Sequence, residues 1–387
     1  MPRPDPMKYQ MHVPFNAPAF LGAEVDCIRR AIGKGHLAGN GFFTKECEKY
    51  LKELLGVKRA FLTTSCTHAL EMCALLLNLQ SGDEFIVPSF TFVSTVNAFA
   101  LRGAKPIFVD VRPDTLNLDE EAVARQINSR TKAIIAVHYG GIGCEMTRLT
   151  ELAQRHEIAL IEDNAHGLFG RYRGKLLGTF GRFATLSFHE TKNISCGEGG
   201  ALLLNDERDI ERAEILRDKG TNRGVFFRGQ ADKYTWVDFG SSYVMSEILA
   251  AYLWTQLNAY ERIQKQRRSI WNLYQEQLQK WATEQKIQLP HVPSTCDQAY
   301  HLFYLILPTL ENRRILIEHL RQYQINAVFH YQALNSSPMG QRLGGQPGTC
   351  PVTERLSDCL LRLPFYFDLT SPIQQRVIDR VLEFRVR

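Results

Sequence analysis

The residues best suited to chemistry lie in one stretch, Phe183 to Ala201, FATLSFHETKNISCGEGGA. A single lysine, Lys192, stands in a polar patch with Ser187, His189, Glu190, Thr191 and Asn193. Apolar runs flank it at 183–188 and 201–204, and glycines 197, 199 and 200 form a turn before the second run. Short apolar runs bounded by turn residues read as buried strands. A lysine held off water on such a turn becomes an amine nucleophile. A solvent-facing lysine beside a glycine-rich hairpin fits the same local pattern.

Three further groups extend the chemistry. Thr64-Ser65-Cys66-Thr67-His68-Ala69 runs from an apolar segment straight into a helical pattern. Backbone N–H groups and hydroxyls at a helix start suit a phosphate, and a plain N-cap by Ser65 or Thr67 explains the same residues without a ligand. Phe92, in Pro88-Ser89-Phe90-Thr91-Phe92, offers a flat face for a ring, with core packing as its default role. Asp163, in Glu162-Asp163-Asn164-Ala165-His166, closes an apolar run, and a carboxylate there needs a partner such as a ring N–H⁺. A phosphate cradle, an aromatic face, a buried aspartate and a lysine together match the demands of pyridoxal 5′-phosphate.

Each of these groups stands where an apolar run stops. Runs at 58–63, 84–87, 106–109, 133–138 and 159–163 alternate with helical patterns at 67–79, 94–101, 120–127 and 146–156. Such alternation predicts βαβ units and a mostly parallel sheet. Ligands of such sheets bind beyond the carboxyl ends of the strands. Ahead of this core, helical patterns are expected at 23–34 and 44–55. Beyond it, 246–286 reads as one long helix and 340–351 as a loop. Strands are expected at 302–307 and 327–331, with helices at 312–323 and 371–383.

Bulk properties exclude several classes. A chain of 387 residues is long enough for two domains, and 22% charged residues are typical of a globular protein. A net charge of +5 can help attract an anionic ligand, but no dense basic block points to nucleic acid. No apolar run is long enough to span a bilayer, and the opening MPRPDPMKYQ has no apolar core of the kind a signal peptide needs. The nine scattered cysteines form no CxxC pair or zinc-like cluster, so reduced thiols in a cytoplasmic protein are expected. Cys66 and Cys196 read as small buried fillers.

The chain resembles the DegT/DnrJ/EryC1/StrS family of sugar aminotransferases from about Val13 to its C-terminus. The resemblance is carried by SFHETKN at 187–193, GEGG at 197–200 and PSFTFVSTVNAFALRGAKPIFVDVRPDT at 88–115. KGTNR at 219–223, FFRGQADKYTW at 226–236 and GSSYVMSEILAAYLWTQL at 240–257 also contribute. It implies the type I aminotransferase fold: an α/β large domain (13–250) with a mixed, mostly parallel sheet, and a linking helix with a smaller α+β domain (251–387). Residues 1–12 are expected to be a flexible extension.

By position, the resemblance assigns Lys192 to the lysine that carries the cofactor and Asp163 to the partner of the pyridine nitrogen. Phe92 matches the stacking residue. Thr67, the His68 backbone and Ser187 match the phosphate cradle. His166 stands where many members have glutamine near the cofactor's 3′-oxygen, and Ser242 where many have an asparagine reaching the partner's phosphate. Arg223, Arg228 and His330 are candidate substrate contacts. The implied activity is transfer of an amino group from L-glutamate to C4 of dTDP-4-keto-6-deoxy-D-glucose, in a homodimer with shared active sites. A 3-amino nucleotide-sugar transaminase is the nearest alternative. A non-catalytic regulatory protein is the alternative from another class.

Overall fold

The structure, a computed structural model, describes residues 12–386. The expected extension at 1–12 lies outside this range except for His12. The described strands are β1 (Arg59–Thr63), β2 (Glu84–Pro88), β3 (Lys105–Val109), β4 (Thr131–Val137), β5 (Ala159–Asp163), β6 (Arg171–Tyr172), β7 (Lys175–Leu176), β8 (Phe183–Ser187), β9 (Gly200–Leu204), β10 (Cys296–Asp297), β11 (Tyr304–Ile306), β12 (Val328–Phe329) and β13 (Leu360–Arg362). Seven of them form one sheet in the order β1-β9-β8-β5-β4-β2-β3. β9 runs antiparallel to β1 and β8, and every other neighbouring pair is parallel. The sheet is therefore mixed and mostly parallel, in an α/β fold.

The strands are apolar on both faces because both faces are covered. On one face Phe61, Val87, Ile135, Ile161 and Phe183 pack with helices Cys66–Leu76 and Ser94–Ala100. On the other, Ile86, Ile134 and Ala136 meet helix Met146–Arg155, while Leu62, Ala184 and Leu186 meet helices Phe42–Leu55 and Glu247–Asn258. The parallel course of β1, β2, β4, β5 and β8 brings Thr63, Pro88, Val137, Asp163 and Ser187 to one edge of the sheet.

A second core gathers around the antiparallel sheet β11-β13-β12 and helices Tyr260–Glu284, Leu310–Gln322 and Ser371–Leu382. The N-terminal lead-in starts on this smaller unit. Val13 bridges Ile325, and the N–H of Phe365 donates to the Phe15 carbonyl at 3.2 Å. From Ala19 the chain joins the core of the large unit.

Three segments differ from the sequence reading. The expected helix over 246–286 is two helices, Glu247–Asn258 and Tyr260–Glu284, parted at Ala259. The Asn258 side chain donates to the Trp254 carbonyl at 2.6 Å and so competes for an acceptor of the helix backbone. The expected loop at 340–351 overlaps helix Pro338–Arg342 and runs into helix Pro351–Cys359. Pro351 starts that helix rather than closing a loop, since proline is favoured in a first turn. Of the expected strand at 327–331 only Val328–Phe329 pairs, which leaves His330 and Tyr331 to turn into a cavity.

Candidate functional site

The sheet edge and the smaller unit enclose a cavity of about 640 Å³, a volume suited to a small ligand. Seven sequence-predicted residues line it: Thr67, Phe92, Asp163, His166, Ser187, Lys192 and His330. Lys192 sits on the turn after β8, where its N–H donates to the His189 carbonyl at 2.9 Å. The next residue anchors this turn to the smaller unit. Asn193 Nδ2 donates to the Ala299 carbonyl at 2.6 Å, and its Oδ1 lies 2.8 Å from His301 Nδ1. Burial pulls the Lys192 amine from 10.5 down to about 8, with Cys66 and Asp163 opposing the shift and Arg362 adding to it. Much more of the amine is therefore neutral near physiological pH than in an exposed lysine.

Asp163 is the last residue of β5 and is 5% exposed. One carboxylate oxygen accepts from the Thr95 hydroxyl at 2.7 Å and the other from the Ala165 N–H at 3.2 Å. Alternation along the strand sends the preceding Glu162 to the opposite face. There it accepts from the N–H groups of Gly178, Phe180 and Gly181 at 2.7–2.8 Å and faces His138 at 3.0 Å. Burial alone would raise the Glu162 carboxyl, but His138 and these N–H groups hold it below the usual range. Adjacent carboxylates thus divide into one that faces the cavity and one that ties the fold together.

The helix after β1 opens into the same cavity. Ser65 caps it, accepting from the His68 N–H at 3.1 Å. The His68 backbone donor is thereby engaged in the cap, and its ring packs on Tyr243 with centroids 5.2 Å apart, outside the cavity wall. The N–H groups of Cys66 and Thr67, at the helix start, have no intrahelical acceptor. The Thr67 hydroxyl donates to Ser94 Oγ at 2.9 Å. β9 passes so close to this cap that a Cβ on Gly200 would lie 2.4 Å from Cys66 N. The glycine is required there by space rather than by its backbone angles.

Histidines from both units meet in the cavity wall, His166 from just beyond β5 and His301 and His330 from the smaller unit. The rings of His166 and His301 stack at 4.1 Å, and His330 lies 6.1 Å from His166. Burial holds all three well below the usual imidazole range, and the nearby Lys192 and Arg362 charges add to the effect. The Gly140 N–H donates to His166 Nδ1 at 3.3 Å, which places the proton of the neutral ring on Nε2. That nitrogen lies 3.4 Å from the Tyr331 hydroxyl.

Other predicted residues lie elsewhere. Arg228 pairs with Glu214 at 2.8 Å, and Arg223 sits over the rings of Phe227 and Tyr234. Ser242 is exposed and bridges Asp218. None of the three lines the cavity of its own chain. Sequence reasoning overlooked Thr95, His301, Tyr331 and Arg362, all in the cavity wall. Only Arg362 carried a local signal, as the lone charge in the apolar run CLLRLPF. Cys66, read as a filler, also lines the cavity, and burial pushes its thiol up. All nine cysteines are unpaired.

The profile of the DegT/DnrJ/EryC1/StrS aminotransferase family matches residues 22–382, and the chain belongs to this family. An uncharacterized protein of Methanocaldococcus jannaschii is 32% identical over 345 residues, covering 87% of this chain and 89% of that protein. Among solved structures, the aminotransferase TlmJ from Streptoalloteichus hindustanus superposes with a TM-score of 0.88 at 28% identity, covering 96% of this chain and 98% of that one. DesV of S. venezuelae, solved with a ketimine intermediate, superposes with a TM-score of 0.87 at 29% identity, covering 97% and 100%. The protein is thus an aminotransferase of a sugar aminotransferase family, and its cofactor is pyridoxal 5′-phosphate. The cavity fits that group. It offers a neutralisable amine at Lys192, a buried carboxylate at Asp163, and hydroxyl and N–H donors at the helix start. Among the described residues no helix is long and apolar enough to cross a membrane.

Proposed function

We propose that this enzyme transfers an amino group from L-glutamate to C4 of dTDP-4-keto-6-deoxy-D-glucose, giving dTDP-4-amino-4,6-dideoxy-D-galactose. The observation that carries the aminotransfer chemistry is the half-buried amine of Lys192 and the buried carboxylate of Asp163 lining one cavity. The choice of sugar rests on GSSYVMSE at 240–247 and FFRGQADKYTW at 226–236, motifs similar to those of the dTDP-4-amino-4,6-dideoxygalactose transaminase of enterobacterial common antigen synthesis.

Pyridoxal phosphate supplies, when bound, a conjugated ring that draws electrons from the carbon losing its proton. Lys192 would hold the group through its amine and, once free, would take the proton at the substrate carbon and return one. Its lowered proton affinity suits both tasks, because the neutral amine is both the nucleophile and the base. Asp163, oriented by Thr95 and Ala165, would pair with the ring nitrogen and favour its protonated form. Phe92 supplies a stacking face. Thr67, Ser187 and the N–H groups of the first helical turn take the phosphate. His166 would offer Nε2–H to an oxygen of the cofactor, a donor role that an amide at this position would share.

The enzyme is a cytoplasmic homodimer in this reading. The excursion from Asp218 to Ser242, closed by the Asp218–Ser242 and Thr221–Trp236 bridges, presents Phe227, Tyr234, Trp236 and Phe239, each more than half exposed. Exposed aromatics on one excursion favour a protein contact. They support an interface through which Arg223, Arg228 and Ser242 reach the partner's cavity. The test is spectroscopic. L-Glutamate should bleach the visible band of the yellow enzyme, and the keto-sugar nucleotide should restore it. A band indifferent to L-glutamate and to other amino acids counts against aminotransfer.

A further inference from the structure

Helix Tyr260–Glu284 grips the segment that carries His301. Gln264 and Arg267 stand one turn apart on it and so share a face. Gln264 Nε2 donates to the Ala299 carbonyl at 3.2 Å. Arg267 donates from Nε to the Tyr300 carbonyl at 2.9 Å and from Nη2 to the His301 carbonyl at 2.6 Å. Arg267 is 3% exposed and lies over the Phe365 ring, with Cζ 4.7 Å from the centroid. A guanidinium is costly to bury, and this one directs its donors to two adjacent backbone carbonyls.

Those carbonyls belong to a strained link. Tyr300 has a φ of 51°, a left-handed conformation that a bulky side chain seldom takes. Its ring packs on Trp271, with centroids 6.1 Å apart, while the next side chain, His301, turns into the cavity. The proton on that ring is also fixed. Asn193 Nδ2 donates to the Ala299 carbonyl at 2.6 Å and to Gln264 Oε1 at 3.2 Å, so its Oδ1 accepts from His301 Nδ1–H at 2.8 Å. Burial, with His166 and Lys192 adding to it, keeps the ring neutral. Nε2 therefore carries a lone pair and no proton, and no described residue bonds to it.

We propose that His301 Nε2 accepts a hydrogen bond from the C3 hydroxyl of the sugar substrate, and that Arg267 is a positioning residue that holds His301 to this task through Tyr300. The proposal rests on the sugar-aminotransfer reading given above. A bare acceptor suits a partner that donates. The carboxylates of L-glutamate only accept, whereas the sugar presents hydroxyls. His301 is bonded to Asn193, the neighbour of Lys192, so the hydroxyl nearest the reacting carbon is the one it meets. In a 4-keto-6-deoxy sugar the carbons beside C4 are C3, which bears a hydroxyl, and C5, which bears a methyl group. The acceptor thus favours the sugar over the amino acid at a shared cavity.

The test compares holoenzyme His301→Asn with wild type in half-reactions followed by visible absorbance. The amide of this variant stands where Nδ1 stood and can still donate to Asn193, but the Nε2 acceptor is gone. The amines are dTDP-4-amino-4,6-dideoxygalactose, its 3-deoxy analogue and L-glutamate. Wild type should use the 3-deoxy sugar about 10-fold less efficiently than the parent, and His301→Asn should treat the two within about 2-fold, the scale of one hydrogen bond. Measured against L-glutamate, the parent sugar should lose about 10-fold in His301→Asn and in Arg267→Gln alike. Arg267→Lys serves for the same comparison if the glutamine variant does not fold. Adding Tyr300→Gly to the Arg267 variant should recover part of the ratio, because glycine takes a positive φ without a clamp. Wild type indifferent to the missing hydroxyl, or His301→Asn discriminating as wild type does, would overturn the assignment of His301. An arginine that only stabilises the fold would lower both half-reactions equally and show no recovery with Tyr300→Gly, which would overturn its positioning role. A wild-type spectrum that responds to neither L-glutamate nor the amino sugar overturns the aminotransfer reading, and the proposal with it.

Discussion

Asn193, the residue after Lys192, holds His301 of the smaller unit through its Oδ1 at 2.8 Å while its Nδ2 donates to the Ala299 carbonyl at 2.6 Å. The lysine turn belongs to the sheet edge, and this link ties it to the smaller unit. Asn193→Ala should cost about 1–3 kcal/mol of stability, the usual range for buried hydrogen bonds left unmade. It should also lower turnover by about 10-fold or more, because a loosened lysine is misplaced for proton transfer. Calorimetry and steady-state kinetics on the same preparation check both. Unchanged turnover would show that the link is dispensable.

Lys192→Ala should abolish transamination, since no other lysine lines the cavity. In the protein without cofactor, the lowered amine also has a thermodynamic signature. The folded state releases the proton near pH 8, the unfolded chain near 10.5. Between these values the unfolded chain binds more protons, so this group makes stability rise with pH, at up to about 1.4 kcal/mol per pH unit. Below about pH 8 the charged amine is buried at full cost. Denaturant titrations of wild type and Lys192→Met across pH 7.5–10.5 should therefore converge as the pH rises. Parallel curves would place the amine in water.

Glu162 and Asp163 are neighbours with opposite expected phenotypes. Glu162→Ala strands three backbone N–H groups and His138, and should cost about 3 kcal/mol or more. Asp163→Asn should leave the melting temperature near that of wild type but reduce turnover by about 100-fold or more, the scale of losing a placed charge. A melting scan and an activity assay on each variant separate the two. Similar phenotypes for both would contradict the division of labour.

These examples show what the sequence made legible. Lys192, Asp163 and Thr67 were readable because each stands just where an apolar run meets polar or glycine-rich residues, and a parallel sheet brings such points to one edge. His301, Tyr331 and Arg362 come from the other unit. Which of its side chains turn toward the sheet edge depends on packing between units, and no local period encodes that. The break at Ala259 was hidden for a different reason. The apolar pattern continues through it, and at the break the Asn258 side chain bonds the Trp254 carbonyl.

A shared active site has its own test. Lys192→Ala and an Arg228→Ala, Ser242→Tyr double variant should each be inactive alone. After dissociation and random reassociation, about half the dimers are mixed and carry one intact site of two, so activity should approach about a quarter of wild type. No recovery, with mixed dimers demonstrated, would confine each site to a single chain.

The most direct measurement follows the transferred nitrogen. The enzyme is incubated with dTDP-4-keto-6-deoxy-D-glucose and ¹⁵N-labelled L-glutamate, and the sugar product is examined by NMR. The expected product carries ¹⁵N on C4 as an axial amino group in the galacto configuration. An amino group on C3, an equatorial group on C4, or no label in the sugar would contradict the assignment.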